Sequence, residues 1–359
     1  MQNITFYDVN LPSDSLRLNF SVYSWLLQPV NCLIFVLTVL VILQCSPKSM
    51  GSYKYYILWS VSNTFASMLA FSMYECELLP PYEVAIARGL PEALDAPFLS
   101  VFLQIMAYSC FQMNILINIC RFTFRFAEAT GQQSIVQTLS DRRFFLGLLA
   151  VFLAIVFAGL FTNSDALEKG GAFKRDFPGN NMALRRYVTD HILVYTESNF
   201  LEYVIQYAIF PIGLLFSAYC ALCCYRFQRS ASSTLSERTR RMYYNLINAL
   251  IIEQASVIFW VLLPLLVILL AAQTRHSVVA AYIFVRILYM YPTFVMLFTL
   301  TFYKRYRYAV LRCFLGVSRN HQAASSVGSS SVVTLSKPSS SFPRNTLTAT
   351  LPNGGNRAI

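Results

Sequence analysis

Four charged side chains lie in stretches of sequence that are otherwise apolar. Arg121 and Arg125 stand four residues apart, so on a helix they share one face. Glu253 and Arg286 each lie deep within a later apolar run. Inside a bilayer an ionised side chain costs about 2.5–3.5 kcal/mol or more, so each needs a partner or water. The chemistry that these residues offer is ion pairing that can form and break.

Helix geometry gives the depths of the last two charges. Glu253 lies about 10 Å along its run from Leu246, and Arg286 about 12 Å along its run from Val278, at 1.5 Å per residue. If the two runs are antiparallel across a core of about 30 Å, the depths differ by only about 8 Å. We therefore predict that Glu253 and Arg286 pair, directly or through water. Two alternatives stay open: Arg286 lines a ligand cavity and meets an anion, or Glu253 is a protonated acid at a helix contact.

The sequence does not predict an enzyme, a metal site or a cofactor. Nine cysteines and three histidines show no zinc-binding spacing, and most of the cysteines lie in apolar runs. No hydrolase, metalloprotease or phosphate-loop motif stands in a suitable context. The six lysines all lie outside the apolar runs, which excludes a retinal Schiff base.

The apolar runs themselves predict an all-α membrane protein with a seven-transmembrane helix bundle. Hydrophobic residues make up 56% of the 359, and charged residues only 13%. Seven runs approach the roughly 20 residues that a spanning helix needs: Ser24–Gln44, Tyr55–Tyr74, Pro97–Phe124, Phe144–Phe161, Val204–Tyr225, Leu246–Ala272 and Val278–Phe302. We expect an N-terminal segment 1–23, the bundle 24–302, a juxtamembrane helix 303–314 and a tail 315–359.

The charge distribution predicts an N-terminus outside the cell. Segments on the N-terminal side of the membrane carry 8 Lys or Arg and 13 acids, whereas those on the other side carry 19 Lys or Arg and 3 acids. Basic loops stay in the cytoplasm. Glycosylation sequons at Asn3 and Asn19 agree with this orientation. The net charge of +11 is therefore attributed to contact with anionic membrane lipid, not with nucleic acid.

Both chain segments beyond the seventh run are polar. Residues 303–314 are basic and amphipathic, which is typical of a helix along the inner membrane face. Cys313 is a candidate for palmitoylation there, or a plain buried or free thiol. Residues 315–359 hold 14 Ser or Thr and no acid, and we expect a disordered tail open to phosphorylation.

Four sequence stretches resemble nematode seven-transmembrane chemoreceptors of the Str superfamily, in particular Srd-like or Srh-like receptors. They are "CSPKSMGSYKYYILWSVSN" after the first run, "LLPPYEVAIARG" before the third, "NICRFTFRF" at its end and "LINALIIEQASVIFWVLLPLL" in the sixth. The resemblance covers residues 30 to 315. It implies a chemosensory, olfactory-type receptor at the plasma membrane, with a sensory cilium as one setting. Such a receptor detects a small-molecule or peptide ligand and activates a heterotrimeric G protein.

The resemblance also implies roles for individual residues. The aromatic-Arg-aromatic ending places the G-protein contact at Arg125, with Arg121 as the second choice. The alternative is that both arginines extend to the lipid headgroups. No acid directly precedes either arginine, since Cys120 and Phe124 stand there.

Prolines and a long loop complete the expectations. Pro211, Pro264 and Pro292 are predicted kinks in the fifth, sixth and seventh runs, where such receptors hinge. The loop 162–203 holds no cysteine and therefore cannot form the disulfide usual in the wider receptor class. It forms either a ligand lid or a solvated loop.

We expect ligand binding between the outer halves of the third, fifth, sixth and seventh runs to move the sixth. The alternatives are a seven-span ligand-gated channel and a small-solute transporter. The channels of this kind have their N-terminus inside, and the charge distribution disfavours that orientation.

Overall fold

Seven helical spans can be followed in the computed structural model, which describes residues 11–46, 50–79, 84–175, 186, 188–195, 210–230, 237–271, 274 and 276–315. The first five are Asp14–Cys45, Tyr53–Tyr74, Pro97–Thr130, Arg142–Thr162 and Phe210–Ser230. The sixth consists of Glu237–Val257, a π-helical turn Ile258–Leu262 and Leu263–Ala271. The seventh consists of Ser277–Leu288 and Tyr291–Phe302. Short helices Leu90–Ala93, Gln133–Ser140, Ala166–Arg175 and Lys304–Leu315 join or follow the spans.

The spans differ in how apolar they are. Four helical stretches of the described chain are long and apolar enough to cross a membrane, namely Asp14–Cys45, Pro97–Thr130, Arg142–Arg175 and Ser277–Phe302. Shorter apolar stretches lie in the fifth and sixth spans. The second span is more polar, and 11 of its 22 residues are buried against the rest of the protein. A helix enclosed by other helices needs fewer apolar residues than one that faces lipid.

The first and third spans are longer than their apolar runs predict. The first begins ten residues earlier than expected, at Asp14, because the Ser13 hydroxyl accepts a hydrogen bond from the Leu16 N–H and caps the helix. Asn19 is therefore an exposed helical residue, while Asn3 lies outside the described residues. The third continues to Thr130, six residues past the predicted end, and stops where Gly131 adopts a left-handed conformation.

The prolines coincide with breaks in two spans. Pro264 follows the π-helical turn of the sixth span, as expected where a missing N–H disturbs the helical ladder. The seventh span breaks at Tyr289–Met290, just before Pro292. Pro211 is the second residue of the described fifth helix, so that no kink can be assigned to it. Pro29 lies within the first span, whose helix continues through it.

A small antiparallel sheet lies at the end of the bundle where the first span begins, which we call the sheet side. Strand β1 is Glu77–Leu78, β2 is Val84–Ala87 and β3 is Ile192–Tyr195. Glu77 pairs with Ile86, and Val84 pairs with Tyr195. The sheet packs on apolar residues of the second, third and seventh spans. It joins the loop 162–203 to the second-to-third-span loop without a disulfide.

The long loop has further attachments on the sheet side. The helix Ala166–Arg175 packs on β3, and Lys174 donates to the carbonyl oxygen of His191. His191 Nδ1 lies 2.6 Å from Glu92 Oε1 of the preceding loop. Phe173 and Tyr195 pack against a buried apolar cluster. The described parts of this loop are therefore a packed cover and not a solvated segment.

Two adjacent glycines of this loop provide a matched test of the packing. A methyl group on Gly170 would lie 2.5 Å from the Leu193 carbonyl oxygen, whereas one on Gly171 meets nothing within 4 Å. We expect Gly170→Ala to lower the free energy of unfolding by about 1–3 kcal/mol, because backbone must move. Gly171→Ala is expected to be neutral or slightly stabilising. Thermal unfolding of the purified protein in detergent checks both; equal midpoints would contradict the placement of β3.

On the opposite side, aromatic residues close the bundle around the ends of the second and third spans. Tyr53, Tyr56 and Phe124 are buried in one cluster with Tyr306 of the final helix. The Tyr56 hydroxyl donates to the Leu139 carbonyl oxygen at 2.6 Å, and the Tyr306 hydroxyl lies 2.7 Å from Ser46 Oγ. These contacts fix the surroundings of the two arginines of the third span.

Candidate functional site

A buried ion pair joins the third and sixth spans. Arg121 Nη1 lies 2.5 Å from Glu253 Oε1. The two residues are 1% and 8% exposed. The same nitrogen of Arg121 donates to Asn118 Oδ1 at 3.0 Å. Since the pair links the two helices through side chains, it can hold them together or release them.

Burial determines the energetics of this pair. Removing one partner of a buried pair leaves an uncompensated charge and costs about 3–5 kcal/mol, whereas replacing both partners by apolar residues is often neutral. Arg121 Nε already has no hydrogen-bond partner within the described residues. The pair is therefore a weak source of stability but a strong constraint on where the sixth span lies.

A small cavity adjoins the pair. It measures about 10 Å³ and is lined by residues of the third, fifth and sixth spans: Phe111, Asn114, Ile115, Asn118, Gly213, Ser217, Gln254 and Val257. This volume is about that of one water molecule, and the polar side chains provide partners for it. Asn118 lines the cavity and also binds Arg121, so that the ion pair and the cavity share a residue.

Arg125, four residues further on, has a different environment. Its guanidinium carbon lies 3.6 Å from the centre of the Tyr53 ring, and its Nη1 donates to Glu128 of the same helix. Arg125 is 3% exposed, and its Nε and Nη2 have no hydrogen-bond partner in the described part of the chain. Both arginines are thus covered by protein, and neither extends to lipid headgroups.

Glu128 is a partner of Arg125 that was not predicted from the sequence. No acid directly precedes either arginine in the sequence, whereas Glu128 follows Arg125 by about one helical turn. The i,i+3 spacing was the available signal.

The predicted Glu253–Arg286 pair is wrong in this structure, because Glu253 binds Arg121. The predicted third span ended at Phe124, which placed Arg121 at the membrane surface. The helix continues to Thr130, nine residues beyond Arg121, or about 14 Å at 1.5 Å per residue. Arg121 therefore lies within the bundle, where it reaches Glu253.

Arg286 extends to the sheet side instead. Its Nη1 donates to the Cys76 carbonyl oxygen at 3.2 Å and to the Tyr289 hydroxyl at 2.9 Å. Its guanidinium carbon lies 4.7 Å from the centre of the Tyr282 ring. Burial raises the pKa of Glu75 in the adjacent loop, and the positive charge of Arg286 opposes that rise. Arg286 thus fastens the end of the second span to the seventh.

A second charged cluster holds the sheet in place. Glu77 of β1 is 1% exposed, and its Oε1 accepts from Arg17 Nε at 3.2 Å and from Arg88 Nη1 at 3.3 Å. These contacts join the start of the first span to two points of the loop between the second and third spans. The spacing of these three residues in the sequence does not indicate a contact, so they contributed to the prediction only as charges that set the orientation.

The remaining predicted site residues have no role assigned by geometry. Asn19 is exposed, as a glycosylation site requires. Cys313 belongs to the helix Lys304–Leu315, and its side chain lies outside the described residues, as does the tail from 316 onward.

Comparison with known proteins identifies the family to which the chain belongs. The profile of the serpentine-type 7TM GPCR chemoreceptors named Srh matches residues 19–316, which run from within the first span to beyond the seventh. No curated protein matches the sequence significantly. The match decides between the Srd-like and Srh-like resemblances, and it accounts for a multi-pass membrane protein that is a receptor and not an enzyme. The chain therefore belongs to the Srh family of serpentine seven-transmembrane chemoreceptors.

Proposed function

We propose that this chemoreceptor signals to a heterotrimeric G protein by releasing the Arg121–Glu253 pair. The observation that carries the proposal is the buried 2.5 Å contact between the third and sixth spans. Separating these spans opens a cleft on the side opposite to the sheet. Arg121 and Arg125 line that end of the third span and become available to a partner once the sixth span moves.

The ligand acts by shifting the balance between the closed and open arrangements. We place one ligand site between the sheet-side halves of the third, fifth, sixth and seventh spans, as the sequence predicts. Pro264 and Pro292 lie at breaks in the last two of these helices, where bending needs little energy. The ligand must bind the open arrangement more tightly, since equal affinity for both shifts nothing.

We further propose that the sheet side faces the outside of the cell and that the receptor lies in the plasma membrane. The excess of Lys and Arg on the opposite side supports this orientation. Glycans at Asn3 or Asn19, and a palmitate at Cys313, would be consistent with it.

Topology is tested with one epitope at the N-terminus and one in the segment 315–359. We expect the N-terminal epitope to stain intact cells and the tail epitope to stain only after permeabilisation. Staining of the tail alone in intact cells would contradict the orientation and favour the channel alternative. Both epitopes inside would require an even number of spans and favour a transporter.

Coupling is tested by guanine-nucleotide exchange on purified heterotrimers of each main class, with the receptor in lipid vesicles. Glu253→Gln removes one charge of the pair, so we expect it to raise exchange without ligand at least fivefold, because a coupling of about 1–3 kcal/mol corresponds to about 5–150-fold. Glu128→Gln is the matched control, since its partner lies on the same helix. Folded Glu253→Gln receptor that activates no heterotrimer would overturn the coupling proposal.

A further inference from the structure

A groove between the third and fourth spans opens toward the surface that faces lipid. It has a volume of about 290 Å³ and ten lining residues: Ile105, Tyr108, Ser109, Gln112, Val151, Ala154, Ile155, Ala158, Gly159 and Thr162. Ala154 and Ala158 are exposed and stand one helical turn apart. The groove exists because these small residues leave the space that larger side chains of the fourth span would fill.

The closed end of the groove is defined by a close helix contact. A methyl group on Gly159 would lie 2.8 Å from Ile105 Cγ2, so the two spans touch at this point. Beyond it, β3 and the helix Ala166–Arg175 pack on the third span. The opening therefore faces the bilayer, beside the covered sheet side.

Two polar side chains in this groove have no hydrogen-bond partner in the part of the chain that the structure describes. Ser109 is 3% exposed, and neither its hydroxyl nor the amide of Gln112 makes a hydrogen bond within the described residues. Ser109 lies twelve residues into the third span, about 18 Å from its start, so it is at membrane depth. An unsatisfied polar group there costs several kcal/mol, since lipid tails offer no hydrogen bonds.

The lining determines the chemistry of a molecule that fits. None of the ten lining residues is charged, so that the groove suits a neutral molecule. A hydroxyl can both donate and accept, which satisfies a serine hydroxyl and an amide together. At about 30 Å³ for each water-sized group, the volume holds about ten non-hydrogen atoms.

We propose that this groove is a binding site for a neutral medium-chain alcohol that enters from the bilayer, with its hydroxyl on Ser109 and Gln112 and its chain along the fourth span. The site is distinct from the one between the third, fifth, sixth and seventh spans. It depends on the membrane fold alone and not on coupling to a G protein.

The test uses full-length receptor in phosphatidylcholine nanodiscs and a decanol that carries a diazirine on its chain. We expect saturable photolabelling of the third or fourth span at the groove, and unlabelled decanol should displace the probe. Decane should compete at least tenfold less well, because it cannot replace the hydroxyl's hydrogen bonds. Equal competition by decane would overturn the assignment of Ser109 and Gln112.

Variants distinguish binding of the probe in the groove from its general partitioning into lipid. Ser109→Ala combined with Gln112→Leu should weaken binding about tenfold, by loss of two hydrogen bonds. Ala158→Leu fills the groove and should abolish labelling, whereas Ala150→Leu, the same change at an exposed position outside the groove, should leave it intact. Labelling that is unsaturable and unaffected by Ala158→Leu would overturn the proposal. So would a dimer whose formation protects the groove and is lost with Ala158→Leu, since a second copy would then be the occupant.

Discussion

Glu253→Gln is expected to lower the free energy of unfolding by about 3–5 kcal/mol, since it leaves the Arg121 charge buried without a counter-ion. The substitution preserves the size of the side chain, so that loss of charge and not loss of packing is tested. Arg121→Met should cost a similar amount for the converse reason. Chemical or thermal unfolding of purified receptor in one detergent gives the comparison.

The double variant Arg121→Met/Glu253→Leu decides whether the pair itself is responsible. We expect it to be more stable than either single variant, because no charge remains buried. Such non-additivity is the signature of direct contact. Glu128→Gln is the control: its carboxylate is 28% exposed and binds Arg125 within one helix, so the loss should stay near or below about 1 kcal/mol. Additive effects at positions 121 and 253 would contradict the pair.

The same cycle distinguishes the observed pair from the one that the sequence predicted. Exchanging the charges of Glu253 and Arg286 should give no rescue, because Arg286 is bound to the Cys76 carbonyl and Tyr289. Rescue by that exchange would show that the two residues meet in another state of the bundle.

The seven spans could be predicted because each contains an apolar stretch, four of them of membrane length within the described residues, and that property requires no knowledge of neighbouring helices. The ends of the helices could not. Residues 14–23 mix polar and apolar side chains, and only the Ser13 cap sets their start as helix. Likewise β1 has two residues and β2 four, too few for an alternating pattern to be recognised.

The Arg121–Glu253 pair shows the same limit of prediction from sequence. Counting residues gives the depth of Glu253 but not the direction in which its side chain points, and two helices can offer an arginine at similar depth. Choosing Arg121 over Arg286 required the true end of the third span and the contact of that span with the sixth. The contacts of Glu77 could not be predicted for a related reason. Strand pairing in the loop brings Arg88 close to Glu77, whereas Arg17 approaches from the start of the first span.

Arg286→Met should lower the free energy of unfolding by about 2–3 kcal/mol at neutral pH. It removes two charge-assisted hydrogen bonds, each worth about 1.5–3 kcal/mol, and relief of the buried charge offsets part of that loss. Arg286→Lys should restore little of it, because an ammonium group cannot reproduce the fork geometry or the stacking on Tyr282. Arg307→Met, at an exposed position of the final helix, is the control and should be neutral.

The pH dependence of the free energy of unfolding of Arg286→Met tests the effect of Arg286 on Glu75. Burial raises the pKa of Glu75 above its ordinary value of 4.5, the charges of Arg286 and Arg88 oppose the rise, and Glu77 and Glu92 add to it. Between the unfolded and the raised folded pKa the native state binds more protons, so stability falls as pH increases through that window. Loss of Arg286 raises the folded pKa of Glu75 further. The pH range over which stability falls then extends toward neutral pH, and the total loss of stability across that range increases. We expect Glu75→Gln to abolish this extra pH dependence in the Arg286→Met background, as measured by unfolding at a series of pH values. If the slope of Arg286→Met matches that of the wild-type receptor, then Arg286 does not act on Glu75, and its role is confined to the two hydrogen bonds that fasten the second span to the seventh.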